Sequence, residues 1–341
     1  MIRAAIVGAS GYTAAELIRI LLGHPEVELA GLYAFTKAGQ ELTRVHPQFK
    51  DLLDRTLEKP DYEIIGKSAD IVFFATPHKV AMNHVPTVLR GKARVIDLSA
   101  DYRFDDPRVY EQFYTKHASP DVKAVYGLPE LYREQIKQAR VVANPGCYPT
   151  AVILSLAPLI KHDLIELDHV VVDAKSGTSG AGASPSERTH HPLAGANIAP
   201  YAAISHRHRP EMEQELSKLA GRRVVVHFTP HLIPAVRGIL STAHVFLKKA
   251  KTQAELLDLY REFYSREPFV RIRDELPQTN QVLGSNYCDI GLEVDSESGR
   301  AVVVAAIDNL TKGASGQAVQ NMNLMFDLDE TTGLHLPPLR P

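Results

Sequence analysis

Two glycines stand where a buried strand gives way to an amphipathic helix, and they constrain this chain more than any other feature. Residues 2–7 read as a buried strand, 13–22 carry apolar side chains at helical spacing, and 28–32 read as a second strand. Strand, helix and strand in that order mean a βαβ unit and a parallel sheet. Between the first two elements lies Gly8-Ala-Ser-Gly11-Tyr-Thr-Ala14. Gly8 permits the tight turn and Gly11 lets the backbone approach a pyrophosphate. The amides at the helix start supply donors and positive partial charge. The spacing is G-x-x-G-x-x-A rather than G-x-G-x-x-G, so the loop taken alone also fits a β-to-α turn with no ligand.

A site for NAD places an acidic residue about 20 positions on, at the end of the second strand, to hold the ribose hydroxyls. Here that region reads Leu32-Tyr-Ala-Phe-Thr-Lys37, with no carboxylate. Its absence favours NADP, whose 2′-phosphate a carboxylate would repel, and makes Lys37 a candidate phosphate partner. Further buried strands are expected at 71–75, 95–98 and 141–143, so the first 145 or so residues read as a doubly wound domain. Beyond Cys147 the texture changes. Segments 170–174, 223–228, 240–247 and 301–307 are rich in Val and His and less regularly separated by helices, which indicates a mixed sheet in an α+β domain. Helices are expected at 252–264 and 313–326, the first clearly amphipathic.

The 341 residues suffice for two such domains. A net charge of −2, with neither sign dominating a long stretch, disfavours a nucleic-acid surface. No stretch has the length and apolarity of a membrane span, and the amino-terminal apolar run is too short for a signal peptide, so a cytoplasmic protein is expected. Two cysteines exclude a disulfide framework and a Cys-rich zinc site, and each has to be judged alone.

Cys147 follows a strand and an Asn144-Pro-Gly146 turn, with Pro149 suited to the start of a helix. A thiol at a helix N-terminus is favoured as thiolate, the reactive form. Position alone leaves open a second reading, a small packed hydrophobe. Cys288, inside a strand-like segment, has no comparable setting and reads as packing. A nucleophilic thiol wants a base and an orienting group, and Ser205-His206-Arg207-His208-Arg209-Pro210-Glu211 offers two imidazoles and a carboxylate. A zinc site built from His206, His208 and His190-His191 is weaker, because His-x-His brings no other ligand geometry. No metal is expected.

These stretches sit within a longer pattern. GASGYTAAEL, FFATPH, DLSADYRFDDPRVYE, VYGLPEL, ANPGCYPTA, KSGTSGAG, HRHRPEMEQ, VRGILSTAHV, GSNYCDIGLEV and AIDNLTKGASGQAVQNMN run from residue 8 to residue 323 in family order. The chain resembles the N-acetyl-gamma-glutamyl-phosphate reductases, NADP-dependent enzymes of arginine biosynthesis related to aspartate-semialdehyde dehydrogenase. The resemblance implies a Rossmann-type NADP-binding domain over 1–146 and 313–341 and a catalytic and dimerisation domain over 147–312. It also implies a homodimer or homotetramer acting on a small acyl phosphate. Cys147 would be the nucleophile and His208 the acid and base, oriented by Glu211, with His206 as fallback. Arg103 would take the substrate's phosphate, and Asn144, Lys175, His206 and Arg237 would also line the substrate. Gly8, Ser10, Gly11, Tyr12, Thr13 and Lys37 would hold the cofactor phosphates, and Ser176, Gly177, Asn309 and Gly313 its nicotinamide end. Two departures stand out: Ala34-Phe35 replaces the Ser-Arg pair frequent after the second strand, and Ala183-Ser184 replaces an Arg-Lys pair, for which Arg188 is the nearby substitute. The rival readings are the paralogous reductase of lysine biosynthesis, acting on a carrier-linked aminoadipate phosphate, and a nicotinamide sensor without turnover.

Overall fold

The computed structural model describes residues 1–340 as two compact units. One comprises Met1–Pro145 and Ala314–His335, and the other Gly146–Gly313 with the tail that begins at Leu336. In the first unit, β1 (Ile2–Val7), β2 (Val27–Tyr33), β3 (Ile71–Phe74), β4 (Arg94–Asp97), β5 (Val125–Tyr126) and β6 (Val141–Ala143) form a parallel sheet in the order β2-β1-β3-β4-β6-β5. Parallel strands covered on both faces read as continuous apolar runs, and β3, Ile-Val-Phe-Phe, is buried at every residue. The order reverses at β1, with β2 on one side and β3 on the other. Open α/β sheets bind ligands outside the carboxyl ends of such strands, so the turn after β1 lies at the favoured place.

The first helix (Tyr12–Leu22) packs against β2 and against the last helix (Gly316–Met325). That last helix does not start at 313 as the sequence suggested. Residues Thr311–Ser315 form a π-helical turn, a feature frequent at functional sites. Ser315 Oγ donates to the Thr13 carbonyl at 2.7 Å, which ties the end of this turn to the helix that follows the glycine loop.

The second unit holds a mixed sheet. Its strands are β7 (Val170–Ser176), β8 (Ala199–Pro200), β9 (Val226–Leu232), β10 (Ile239–Phe246), β11 (Val270–Ile272), β12 (Cys288–Asp295) and β13 (Arg300–Ile307), in the order β11-β12-β13-β10-β7-β9-β8. The strand expected at 223–228 starts later and runs through Pro230. Pro230 accepts the Tyr201 N–H through its carbonyl, so its missing donor also faces the β8 edge and not the ladder with β7.

The cysteine helix (Cys147–Lys161) is buried from Tyr148 to Ile160. It lies on β10 and β13, between the Glu211 helix (Arg209–Ala220) and the helix Gln253–Phe263. Pro158 has no N–H for the carbonyl four residues back. The Tyr264 hydroxyl donates to that carbonyl, Leu154 O, at 2.5 Å, and Tyr260 does the same for Ser155 O at 2.5 Å. Tyr264→Phe is therefore expected to leave a buried carbonyl without that donor and to cost about 1–3 kcal/mol in urea unfolding. An unchanged unfolding midpoint would show that the bond contributes nothing.

Candidate active site

In the first unit, the glycine loop is shaped by what a side chain would meet. Gly8 has φ +93°, and a Cβ there would lie 2.4 Å from the Ala75 carbonyl oxygen. The N–H groups of Gly8 and Ala9 both donate to Tyr33 O, at 2.8 and 2.9 Å, which fixes the turn against the end of β2. Gly11 is the extended N-cap of the first helix and no side chain caps it. A Cβ on Gly11 would approach only Gly8 O, at 3.8 Å, so open space fronts the helix start. Uncapped first-turn amides facing open space suit a pyrophosphate. Ser10 and Thr13 are half-buried here and Tyr12 is exposed. Beyond β2, Ala34 is buried while Phe35, Thr36 and Lys37 are exposed, and the Ala34 N–H donates to Glu58 O at 2.9 Å.

Arg103, nearly buried, donates from Nε to Asn144 O at 2.8 Å and from Nη2 to Leu98 O at 2.9 Å. The two bonds fix the guanidinium plane at the carboxyl ends of β4 and β6. Wholly buried Asp97 is pushed up to about 7 by burial and by neighbouring Asp101, with Arg103 opposing the rise. Asn144 is held on both amide atoms, donating to Ala314 O at 3.0 Å and accepting from Asn321 Nδ2 at 3.1 Å.

In the second unit, the helix begins at Cys147 itself, two residues before the position that Pro149 suggested. The half-buried thiol therefore stands at the positive end of the helix. Pro149 has no N–H, and the Thr150 N–H and hydroxyl both return to Gly146 O, at 3.0 and 3.1 Å. The Cys147 and Tyr148 amides, which have no acceptor within the helix, are thus the first-turn donors beside the thiol. Glu211, wholly buried, accepts the Gly146 N–H on Oε1 at 2.8 Å. It sits in the first turn of its own helix, where a carboxylate complements the helix dipole. The resemblance implies that this carboxylate orients His208; the structure shows its grip on the cysteine turn. Gly313 packs against Cys147: a Cβ on this glycine would be 2.9 Å from Cys147 Cβ and 3.3 Å from its Cα.

His208 is the N-cap of the Glu211 helix, and its N–H donates to Nδ1 of His206 at 3.1 Å. That bond puts the ring hydrogen of His206 on Nε2. Burial, with the Arg207 charge adding to it, pushes His206 down to about 4, so its ring is neutral near pH 7 and the fallback base reads as a fixed donor. Tyr148 packs edge-on against His206, His208 and Phe228, with ring centroids 5.7, 6.0 and 5.2 Å away. Its hydroxyl accepts from the Tyr201 hydroxyl at 3.1 Å. Burial raises both phenols, Tyr201 to about 12. Sequence reasoning missed this pair; the one local signal was that Tyr148 directly follows the cysteine.

Two expected substrate contacts are engaged elsewhere. Lys175 pairs with Asp173 at 2.9 Å. Side chains alternate faces along a strand, so Lys175 shares the partly exposed face of β7 with Val171 and Asp173, opposite Ser176. Arg237 lies with Nε 2.9 Å from Oδ2 of buried Asp308, and its Nη2 donates to Asp308 Oδ1 at 3.0 Å and to Thr311 Oγ1 at 3.1 Å. Asp308 also accepts the Gly284, Leu310 and Thr311 amides, which makes Arg237 a brace of the loop after β13. The expected nicotinamide residues meet within this unit. Asn309 accepts the Gly238 N–H at 2.7 Å and donates to Ser179 Oγ at 3.0 Å. Gly177 donates to Gly238 O at 2.9 Å, and Ser176, buried, donates to Gly177 O at 3.0 Å. Among the described residues no group of His, Cys, Asp and Glu is arranged to hold a metal ion, and no helix is long and apolar enough to cross a membrane.

Residues 3–139 match the family described as semialdehyde dehydrogenase, NAD binding domain, and residues 147–309 match semialdehyde dehydrogenase, dimerisation domain. An N-acetyl-gamma-glutamyl-phosphate reductase of Syntrophobacter fumaroxidans is 49% identical over 344 residues, covering 100% of both chains. One of Symbiobacterium thermophilum is 51% identical over 339 residues, covering 98% of this chain and 97% of its own. Among solved structures, aspartate semialdehyde dehydrogenase II from Vibrio cholerae superposes with a TM-score of 0.73 at 17% identity, over 96% of this chain and 99% of that one. An aspartate semialdehyde dehydrogenase with NADP from Candida albicans gives 0.68 at 17% identity, over 96% and 98%. The chain belongs to the N-acetyl-gamma-glutamyl-phosphate reductase family, built on the semialdehyde dehydrogenase fold.

Proposed function

We propose that the chain reduces N-acetyl-L-glutamyl 5-phosphate to N-acetyl-L-glutamate 5-semialdehyde and phosphate with NADPH, a step of arginine biosynthesis, in the cytoplasm. The observation that carries this reading is Cys147 at the first position of a buried helix, its turn held by Glu211 and His208 close behind its tyrosine neighbour.

The Cys147 thiolate attacks the acyl carbon. The C–S bond forms, the carbon–oxygen bond to phosphate breaks, and inorganic phosphate leaves a thioester. The Cys147 and Tyr148 amides stabilise the negative oxygen of that addition. When bound, NADPH would supply the hydride for the thioester carbon. His208 protonates the resulting hemithioacetal oxygen and takes that proton back as the C–S bond breaks, which releases aldehyde and thiolate. Arg103, its plane already fixed, takes the phosphate; a planar guanidinium suits a bidentate anion. Asn144 and the neutral His206 line the substrate. Gly8, Ser10, Gly11, Tyr12 and Thr13 cradle the cofactor pyrophosphate, Lys37 meets its 2′-phosphate, and Ser176, Gly177, Asn309 and Gly313 face the nicotinamide. The face of the mixed sheet that carries exposed Val171 and Phe246, away from the cysteine helix, is the surface proposed to pair with a second copy in a homodimer or homotetramer.

The test runs the reaction backwards: phosphate-dependent reduction of NADP with N-acetylglutamate semialdehyde. Turnover is expected, with NADP used at a kcat/KM at least about tenfold above NAD, as a phosphate contact adds about 1.4 kcal/mol or more. Inactivity here, with turnover of a carrier-linked aminoadipate semialdehyde, would move the chain to the lysine pathway.

A further inference from the structure

The proposed chemistry leaves one end of the substrate without a charged partner. Two methylene groups separate the reacting carbonyl from the α-carbon, which carries a carboxylate and an acetamido group. The groups that recognise this end must therefore lie within a short reach of Cys147. A cavity of about 380 Å³ lies within the cysteine's own unit, in the size range of small-molecule sites. Tyr201 forms one wall. Its hydroxyl is bonded to that of Tyr148, the residue next to Cys147, and the Cys147 charge acts on the Tyr201 phenol directly.

The remaining walls match the missing groups. Arg188 lines the cavity and is exposed, and it makes no ion pair among the described residues, although Glu187 is its chain neighbour. Burial pushes the Tyr201 phenol up, and the Arg207 and Arg188 charges oppose that rise, which puts both guanidinium groups in the neighbourhood of the Tyr201 wall. Asn197 and Glu187 supply a donor for an amide carbonyl and an acceptor for an amide N–H, and Leu193 and Leu232 supply apolar surface for a methyl. Resting on the acyl-phosphate reading, we propose that this cavity binds the N-acylamino-acid end of the substrate, with Arg188 pairing the α-carboxylate. The cavity then sets specificity for an α-carboxylated, N-acylated chain, separately from the chemistry at Cys147.

The experiment compares N-acetylglutamate semialdehyde with its decarboxylated analogue, 4-acetamidobutanal, in the phosphate-dependent assay. In Arg188→Ala the KM for the first aldehyde should rise about 30-fold with kcat changed less than about threefold, as for a lost charge-assisted pair that does not act on the reacting atoms. Arg188→Lys should recover part of the loss. The wild type should disfavour the analogue by a similar factor, and Arg188→Ala should treat the two aldehydes almost alike. Equal losses on both aldehydes would make Arg188 a structural residue of its segment, and an unchanged KM would remove the cavity from substrate binding. Wild-type failure on N-acetylglutamate semialdehyde would instead overturn the acyl-phosphate reading, before Arg188 is tested at all.

Discussion

Cys147→Ser should lower kcat by about 10³-fold or more in the phosphate-dependent assay, because a serine hydroxyl, unlike a thiol at a helix N-terminus, stays protonated near pH 7 and is the weaker nucleophile. The surroundings would survive the change. Glu211 holds the Gly146 amide and not the sulfur, the helix keeps its start, and one sulfur replaced by oxygen leaves a small void beside a half-buried side chain. Loss of turnover without loss of stability therefore isolates the chemistry. Intact mass adds a second readout. Wild-type protein given the acyl phosphate without NADPH should gain one N-acetylglutamyl group, and the variant none. Cys288→Ser is the control, since Cys288 is wholly buried in β12, and it should keep kcat whatever it costs in stability. Near-normal turnover by Cys147→Ser would end the covalent mechanism.

Gly8→Ala should raise the KM for NADPH by about 100-fold or more. A φ of +93° is costly for any residue with a Cβ, by roughly 1–3 kcal/mol. The added carbon would also sit 2.4 Å from a backbone oxygen, Ala75 O, which cannot swing aside as a side-chain tip could. The loop has to move, and the Gly8 and Ala9 bonds to Tyr33 O go with it. Titration of NADPH fluorescence reads the affinity and thermal unfolding reads the fold. Weak binding by a folded variant is the expected result. Full affinity would mean that the cofactor phosphates do not depend on this turn.

Why the two glycines and the cysteine were legible is a matter of range. Gly8 and Gly11 lie between a strand and a helix whose periods are visible over a dozen residues, and Cys147 follows β6 within a single turn. Rossmann-type topology follows from the same local alternation, and the sheet order bears it out. What the sequence could not express is pairing at a distance. Tyr201 meets Tyr148 across 53 positions, Arg237 meets Asp308 across 71, and Glu211 meets Gly146 across 65. None of these has a period, and a charged side chain looks the same in sequence whether it will hold a substrate or brace a loop. The structure gives Arg237 to Asp308 and Lys175 to Asp173, partners that no local pattern announces. Strands of two or three residues, such as β5, β8 and β11, are too short to show alternation at all.

The bond from Glu211 to Gly146 also bears on the protein's life before it is complete. On the ribosome the cysteine is made first, and the carboxylate that fixes its turn arrives 65 residues behind the glycine it will hold. Until the helix carrying Glu211 docks, the turn before Cys147 lacks the bond that fixes it. Oxidants select thiolates over thiols. A thiolate favoured by a helix N-terminus comes into being only as that helix forms.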